Sequence, residues 1–479
     1  MELGRLFHPR NFAVIGATPK KQWTWSSGNA WIAGSFRLGF QGAIYPVHPE
    51  AEIILGLKAY ASLLDIPGEI DLAIVTVPLT STLQVMKDCV RKGVQFVHIL
   101  AAGFSETGKK EYVEIEQNLM DTAKKGGVRI IGPNCMGVYC PEGGLSWSET
   151  FPTHTGPIGL FSQSGQLAHI IIEKGSQQGL YYSKVISFGN AGDLEAHDFL
   201  NYLAQDEKTE IIAAYLEGIK DGRAFFESAK RITSKKPLVI WKGGQTQGGT
   251  RAAQSHTAAI AGSQTIWNVM CKQAGIINVQ TMEELIFTIR GLQCLSLPKG
   301  IKIAVLGGAG GGSVTMTDYA EKEGLQVPHL TDETIRKMEE FVALEGNSIK
   351  NPLDILPITV PTGAEKENMI RIAELLRDDS NIDAMIFNAS PAWVFDIYGR
   401  PTMYQYLKLS IEVMNLFEKP LFIALPKEDD VKKDILLREV RSWYNDYDVP
   451  TFPDFRLAAR ILANMKRYGD YLAYSKSRV

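Results

Sequence analysis

The fold class follows from one stretch, Lys302-Ile303-Ala304-Val305-Leu306-Gly307-Gly308-Ala309-Gly310-Gly311-Gly312-Ser313. An apolar run passes directly into a turn with five glycines, and a helix-length pattern follows. This order is typical of the strand, turn and helix of a parallel α/β sheet. Glycine costs about 0.5–1 kcal/mol in regular structure relative to alanine, so the run indicates a close approach of backbone or of an anion. The turn lacks the Gly-Lys-Ser/Thr ending of a phosphate-binding P-loop.

The same alternation of short apolar runs and helix-length amphipathic stretches extends along the chain, which predicts βαβ units and parallel sheets. The predicted strands are Phe12–Ile15, Ala43–Tyr45, Leu72–Val77, Phe96–Leu100, Val128–Ile131, Ile158–Phe161, Lys184–Phe188, Ile211–Leu216, Leu238–Trp241, Ile276–Val279, Lys302–Leu306, Ala384–Asn388 and Leu421–Ala424. The predicted helices include Thr80–Lys92, Glu106–Lys125, Met282–Leu295 and Phe455–Tyr468. With 479 residues and about 100–200 residues per domain, we predict three doubly wound α/β domains, at 1–150, 151–297 and 298–479.

The composition disfavours several classes of protein. Hydrophobic residues make up 45% of the chain, charged residues 22%, and the formal net charge is -3. Bulk disorder needs lower hydrophobicity and higher net charge, and a broad nucleic-acid surface needs an excess of basic residues. We expect no membrane span and no secretory signal, because neither an apolar run of about eighteen residues nor a leader pattern is visible. The five cysteines form no Cys-x-x-Cys pair, so a reducing cytoplasm fits.

A second glycine turn, Ile15-Gly16-Ala17-Thr18, follows the first predicted strand and continues to Gly28. A dinucleotide-binding loop would read Gly-x-Gly-x-x-Gly, and the next strand would end in an acidic residue. That strand ends instead in Tyr45-Pro46-Val47-His48-Pro49. A nicotinamide-dependent oxidoreductase is therefore disfavoured, whereas another nucleotide-like ligand and a plain tight turn both remain open.

A third turn, Ser162-Gln163-Ser164-Gly165, lies between a predicted strand and a predicted helix. Its serines can cap the helix, since a serine oxygen accepts a hydrogen bond from a backbone amide of the first turn. The N-terminus of a helix also attracts small anions. Capping alone and anion binding are both open at this turn.

A single histidine, His256, lies in a stretch of about twenty small and polar residues after the strand Leu238–Trp241. Loops of this length are uncommon in compact domains and are usually functional or disordered. A lone histidine is more often structural, but His256 has no apolar stripe to pack against and no metal-ligand partners at regular spacing. Imidazole is also a nucleophile that can carry a covalent group.

Together these motifs resemble the α subunit of the ADP-forming acyl-CoA synthetases, relatives of succinyl-CoA synthetase. The resemblance covers nearly the whole chain, and its motifs follow the family's order. They are Tyr45-Pro46-Val47-His48-Pro49, Ala102-Gly103-Phe104, Gly132-Pro133-Asn134-Cys135-Met136-Gly137, Ser162-Gln163-Ser164-Gly165, Ser187-Phe188-Gly189-Asn190, Ser255-His256-Thr257 with Ala261-Gly262, and Asn351-Pro352-Leu353-Asp354.

The resemblance implies a Rossmann-like CoA-binding domain followed by two flavodoxin-like ligase domains. It makes His256 the phosphohistidine, Glu217 the carboxylate that orients it, and Asn134 an active-site residue near the thioester. It implies that the phosphoryl group binds at Ser162, Ser164, Gly165, Gly310, Gly311 and Gly312. For CoA it implies Gly16, Ala17, Ser27, Pro46, His48, Val77 and Pro78.

The implied reaction is reversible: acyl-CoA, phosphate and ADP give a small carboxylic acid, CoA and ATP. ADP or ATP with Mg²⁺ is expected mainly on a separate ATP-grasp β subunit, in an α2β2 hetero-oligomer. Trp23, Trp25 and Glu50 depart from the family pattern near the CoA site. The alternative is a non-catalytic CoA-binding regulatory protein, which would need neither His256 nor Glu217.

Overall fold

The computed structural model describes residues 3–20, 24, 27–249, 251, 263–308, 310–344, 347–355 and 364–477. The strands are β1 (Asn11–Ile15), β2 (Ala43–Val47), β3 (Ile53–Ile54), β4 (Leu57–Lys58), β5 (Leu72–Val75), β6 (Phe96–Ile99), β7 (Arg129–Ile131), β8 (Gly137–Tyr139), β9 (Ile158–Ser162), β10 (Tyr182–Ser187), β11 (Ile211–Leu216), β12 (Leu238–Lys242), β13 (Ile277–Val279), β14 (Ile303–Leu306), β15 (Ala384–Asn388), β16 (Leu421–Ala424) and β17 (Thr451–Phe452).

Helices alternate with these strands, as the sequence pattern predicts. They are Gly4–Phe7, Gly28–Arg37, Leu79–Lys92, Lys110–Gly126, Gly165–Ser176, Ala196–Gln205, Gly222–Ile232, Gln264–Ala274, Met282–Cys294, Gly311–Lys322, Asp332–Glu339, Ala364–Asp378, Pro391–Phe417, Val431–Asp446 and Phe455–Lys476. Among the described helices, none is long and apolar enough to cross a membrane.

The first sheet has the order β2-β1-β5-β6-β7, and all its pairs are parallel. Its inner strands β5 and β6 are buried along their whole length, as the apolar sequence of β5 and the mostly apolar sequence of β6 predict for a sheet covered on both faces. The chain order reverses between β1 and β5. Ligands of open α/β sheets bind at such a switch point, beyond the carboxyl ends of the strands.

The second sheet has the order β13-β12-β11-β9-β10-β8 and repeats the doubly wound arrangement, with its switch point between β9 and β11. One strand differs: β8 pairs antiparallel with β10, Val138 facing Ile186. The sequence analysis did not predict β8, because three residues are too few to show a period. β7 and β8 follow each other closely in the chain but belong to different sheets.

The third sheet, β14-β15-β16-β17, is parallel throughout. The α/β class with parallel, doubly wound sheets is thereby confirmed. By contacts the chain forms two compact units, one of residues 1–176 with 180–285 and the other of 177–179 with 286–479. The first two sheets fall in the first unit and the third sheet in the second. The division at 150 and 297 into three domains stays a prediction.

Candidate active site

A cavity of about 1040 Å³ lies within the first unit. Its lining residues follow the carboxyl ends of β5, β6, β7 and β9 or belong to the loop before β9. They are Thr76, Val77, Pro78, Leu79, Leu100, Ala101, Ala102, Asn134, Cys135, Met136, Trp147, Ser148, Gln163, Ser164, Gly165, Gln166, His169 and Ile170. The carboxyl edge is the ligand-binding edge of such sheets, so this cavity is the candidate active site.

The cavity brings together some of the predicted site residues and leaves others outside its lining. Those in the lining are Val77, Pro78, Asn134, Ser164 and Gly165. Those described but outside the lining are Gly16, Ala17, Ser27, Pro46, His48, Ser162 and Glu217. Gly310, Gly311 and Gly312 belong to the second unit. His256, Trp23 and Trp25 lie outside the described residues.

The turn after β9 is a capped helix start. Ser164 Oγ accepts the amide of Leu167 at 3.2 Å, and Ser162 Oγ donates to the Ser164 carbonyl at 2.7 Å. The predicted cap is therefore present. The first amides of a helix have no acceptor within it, and Gly165 and Gln166 at this end both line the cavity. The anion interpretation thus remains compatible with the cap.

Gly165 is required by packing as well. A Cβ at this position would lie 2.5 Å from Met136 Cγ and 3.4 Å from Ser187 Oγ. The helix start therefore lies against the Gly132–Gly137 segment, with the Met136 amide donating to Ser187 Oγ at 3.0 Å. This contact sets one wall of the cavity.

Glu217 follows β11 and is buried, at 6% exposure. Gln163 Oε1 accepts hydrogen bonds from the backbone amides of Glu217 and Gly218, the latter at 2.9 Å. The Tyr215 hydroxyl donates to Glu217 Oε1 at 3.3 Å. Burial, and then the Glu217 charge, raise the pKa of Tyr215, so the phenol stays a donor. Lys242 Nζ donates to the Glu217 carbonyl at 2.6 Å. Burial lowers the pKa of Lys242, and the Glu217 charge opposes that shift.

Asn134 has φ 58, a left-handed conformation that asparagine tolerates better than most residues. Its amide donates to the Ala101 carbonyl at 2.9 Å, and its Nδ2 donates to Asn190 Oδ1 at 3.3 Å. Gly189 permits this approach, because a Cβ there would lie 2.2 Å from the Asn134 carbonyl oxygen. The Ser187-Phe188-Gly189-Asn190 motif therefore supports Asn134.

Two carboxylates complete this support, and the sequence analysis missed both. Asn190 Nδ2 donates to Glu106 Oε2 at 2.7 Å and to Glu116 Oε2 at 3.4 Å, and Glu116 also accepts the Ser105 amide at 2.9 Å. The carboxylates of Glu106 and Glu116 can only accept hydrogen bonds, so they must face the Nδ2 of Asn190, and Asn190 must turn its Oδ1 towards Asn134. Asn134 must then offer its own nitrogen, so both amide orientations are fixed. The only sequence signal was Glu106, two residues after the Ala102-Gly103-Phe104 motif.

The turn after β1 is tight. Gly16 has φ +102, and a Cβ there would lie 2.6 Å from Thr76 Oγ1, so the residue after β5 packs closely against a position that only glycine fills. Asn29 closes the loop by accepting the Thr18 amide at 2.8 Å and donating to its carbonyl at 2.9 Å. Ser27 Oγ is buried and has no hydrogen-bond partner among the described residues, which leaves a donor available at this turn.

The predicted CoA residues on the second strand have structural partners. Pro46 pairs with Val14 in the sheet. His48 Nδ1 accepts the amides of Glu50 and Ala51, each at 3.1 Å, so the proton of the neutral ring lies on Nε2. Glu50, which departs from the family pattern, thus contributes its backbone to this turn.

The glycine-rich turn of the second unit combines close packing with open space. Gly307 has φ +90, and a Cβ there would lie 2.3 Å from the Asn388 carbonyl oxygen. By contrast, no atom of the described residues lies within 4 Å of a Cβ at Gly310, Gly311 or Gly312. Asp354 Oδ2 accepts the Gly310 amide at 2.9 Å. One of the amides expected to hold a phosphoryl group therefore already has an internal carboxylate partner.

Two other groups near the cavity are structural. Cys135 is buried, and burial raises the pKa of its thiol, so it is no candidate nucleophile. His98 Nε2 pairs with the Cys135 carbonyl at 2.9 Å, and burial lowers its pKa to about 4. Within the described residues, no group of three or more His, Cys, Asp or Glu side chains could hold a metal ion.

Comparisons with known proteins agree with this fold. Residues 10–141 match a family model of a CoA binding domain, and residues 155–292 match a succinyl-CoA ligase like flavodoxin domain. The α subunit of ADP-forming acetate–CoA ligase II from Pyrococcus furiosus is 38% identical over 396 residues, which are 80% of this chain and 81% of that subunit.

Two further proteins extend the comparison. ADP-forming acetate–CoA ligase II of Archaeoglobus fulgidus is 36% identical over 80% of this chain, but the match covers only 57% of that protein. A solved acetyl-coenzyme A synthetase 1 of Ca. Korarchaeum cryptofilum, in complex with phosphate and ADP, superposes with TM-score 0.83 at 27% identity over 100% of this chain and 99% of that one.

These matches place the chain among the ligases that form acid–thiol bonds. It belongs to the family of the ADP-forming acetate–CoA ligases and corresponds to their α subunit.

Proposed function

We propose that this chain catalyses the acyl-transfer half of a reversible, ADP-forming acyl-CoA ligase reaction. The observation that carries the proposal is the single cavity that joins the carboxyl ends of β5 and β6, Asn134, and the helix N-terminus at Gly165. The predicted CoA and phosphate sites would therefore face each other, as attack of phosphate on a thioester requires.

The proposed steps use two nucleophiles in turn. A phosphate oxygen attacks the thioester carbonyl, the C–S bond breaks, and CoA leaves as the thiolate, giving an acyl phosphate. A ring nitrogen of His256 then attacks phosphorus, and the carboxylate leaves. The phosphohistidine finally passes its phosphoryl group to ADP. The helix N-terminus at Gly165 suits a phosphoryl group with about two negative charges, since the dipole contributes up to ~2 kcal/mol in a partly buried site.

Glu217 is proposed to orient His256. Its burial and its bonds from Gln163 and Tyr215 hold its position at the end of β11. A carboxylate that accepts one imidazole N–H fixes the tautomer and favours the charged ring that forms when the other nitrogen is phosphorylated.

The remaining components are proposed from the relatives. CoA would bind at the carboxyl edge of the first sheet, with Val77 and Pro78 in the cavity wall. ADP or ATP with Mg²⁺ would bind mainly on a separate ATP-grasp β subunit, in an α2β2 assembly, since the Pyrococcus furiosus relative is an α subunit. The cytoplasm suits the free cysteines of the described chain.

Acid-labile labelling tests the proposal. The chain is mixed with the β subunit, Mg²⁺ and ATP labelled in the γ-phosphate, and we expect alkali-stable, acid-labile label on this chain. His256→Asn should abolish the label, and Glu217→Gln should slow it by about 10²–10⁴-fold, the usual range for a group that assists proton or charge transfer. Label that persists on His256→Asn would refute the phosphohistidine.

The alternative, a non-catalytic CoA-binding regulatory protein, predicts a different result. It would bind CoA without taking up label under any of these conditions. The burial and hydrogen bonding of Glu217 favour the enzyme, because an uninvolved strand-end carboxylate is normally left in solvent.

A further inference from the structure

The side chain of Gln163 is buried between the cavity and the end of β11. It is 7% exposed and still contributes to the cavity lining. Its main chain is fixed as well, because the Gln163 amide donates to the Tyr215 carbonyl at 3.1 Å. Its neighbours Ser162, Ser164 and Gly165 are the predicted phosphoryl contacts, and Gln163 is not among them.

We propose that Gln163 is a catalytic residue: its Nε2 donates a hydrogen bond to the phosphoryl group in the cavity, while its Oε1 holds the main chain at Glu217. This inference rests on the proposed function and adds a catalytic residue to it. The hydrogen bond moves no proton, because its task is to stabilise negative charge on the phosphoryl oxygens. Three observations support it: the orientation of the amide, its unpaired donor and the composition of the lining.

The orientation of the Gln163 side-chain amide is set by its partners. The two groups that bond to it are the backbone amides of Glu217 and Gly218. Backbone N–H groups can only donate, so the atom that faces them must be Oε1 of Gln163. The Nε2 atom is therefore directed away from both backbone amides, and its N–H groups are left for another acceptor.

The Nε2 atom of Gln163 has no hydrogen-bond partner within the described part of the chain. Leaving a donor of a buried amide unpaired costs free energy, so such a group indicates a ligand or a water that completes it. The space beside this side chain is the cavity, which Gly165 and Gln166 also line. Nε2 and the first amides of the helix can therefore donate to one and the same anion.

The composition of the lining makes each donor important. Among the described residues that line the cavity there is no lysine or arginine. His169 belongs to the lining, but its Nε2 lies 3.2 Å from Glu173 Oε1, so the imidazole already faces a carboxylate of its own helix. An anion in such a site depends on N–H and O–H donors, which stabilise it best when they are fixed before it arrives. Gln163, held at its main chain and at its oxygen, meets this condition.

Kinetics of the assembled enzyme with a variant of nearly the same shape test the proposal. Gln163→Glu keeps an oxygen for the two backbone amides but replaces the donor by a second oxygen, which repels the phosphoryl group. With the β subunit, acetyl-CoA, ADP and Mg²⁺, we expect kcat/KM for phosphate to fall about tenfold or more at pH 7.5, while KM for acetyl-CoA changes less than about threefold. The loss should shrink towards about pH 5.5, because burial beside an anion favours the protonated carboxyl, which donates again.

Two further variants complete the test. Gln163→Met removes both ends of the amide and should also lower kcat/KM for phosphate about tenfold or more, to the same extent at both pH values. It tests the donor even if Gln163→Glu does not fold. The control is Gln205→Glu, which makes the same change of charge at an exposed residue of the first unit, outside the cavity lining. It should leave both kinetic constants unchanged.

The proposal is overturned if either Gln163 variant keeps the wild-type kcat/KM for phosphate, because the side chain would then only hold the main chain at Glu217. It is also overturned if the loss falls on acetyl-CoA instead of phosphate, or if the loss in Gln163→Glu is the same at both pH values. A wild-type enzyme that forms no ATP and takes up no label on His256 would instead contradict the proposed function.

Discussion

The side-chain amide of Asn190 donates hydrogen bonds to two carboxylates. Replacing Asn190 by aspartate should therefore lower the free energy of unfolding. Asn190→Asp keeps the shape and the oxygen that faces Asn134, but it removes the donor to Glu106 at 2.7 Å and to Glu116 at 3.4 Å. A hydrogen bond to a charged group contributes about 1.5–3 kcal/mol to stability. The 3.4 Å bond to Glu116 falls at the low end of that range. With a third carboxylate beside the other two, we expect a loss of roughly 3–5 kcal/mol at pH 7.5.

The pH dependence separates this cause from a general packing defect. The new carboxyl lies beside two others, so its pKa in the folded state is raised, and the protonated form regains a donor. Destabilisation should therefore be largest at pH 7.5 and shrink as the pH falls towards the unfolded value of about 3.9. Urea unfolding at pH 7.5 and pH 5 measures this. A loss below about 1 kcal/mol, or an equal loss at both pH values, would refute the reasoning.

The remaining predictions concern an ion pair and a glycine. Arg10 holds the pKa of the buried Asp71 carboxyl below its usual value through paired hydrogen bonds of 3.0 and 2.6 Å. Arg10→Met should therefore lower the free energy of unfolding of the first unit at pH 7, and urea titrations should show this difference fading below about pH 4, where Asp71 is protonated in the unfolded chain. Gly165→Ala would place Cβ 2.5 Å from Met136 Cγ, so we expect about 1–3 kcal/mol lost in thermal unfolding together with slower phosphoryl labelling. Gly222→Ala, with no neighbour from the described part of the chain within 4 Å of the new Cβ, is the matched control and should be neutral or slightly stabilising.

The sequence predicted the strands of the sheet interiors well, for a physical reason. β5 and β11 are continuous apolar runs because helices cover both faces of a parallel sheet, so their signal is strong. Two short edge strands, β8 and β17, gave no comparable signal. β8 and β17 have three and two residues, and they form because neighbouring strands offer free backbone groups, which is a tertiary effect.

The site was predictable where backbone geometry leaves a mark in the sequence. Glycines at Gly16, Gly165 and Gly307 indicate close approaches, and each has one. Glu106 and Glu116 have no comparable sequence signal, because acidic residues in short turns and on helices are ordinary. Their role depends on a hydrogen bond to Asn190, which lies in a different sheet region and is distant in the sequence.

The residues between β7 and β8 explain why one cavity joins the two sheets. β7 closes the first sheet and β8 pairs at the edge of the second, so the segment 132–136 must pass from one to the other. Its first half is tied to the first sheet, since the Asn134 amide donates to the Ala101 carbonyl. Its second half is tied to the second sheet, since the Met136 amide donates to Ser187 Oγ. A link this short holds the two carboxyl edges together, and Asn134, at its centre, therefore lies where a ligand of the first sheet would meet a ligand of the second.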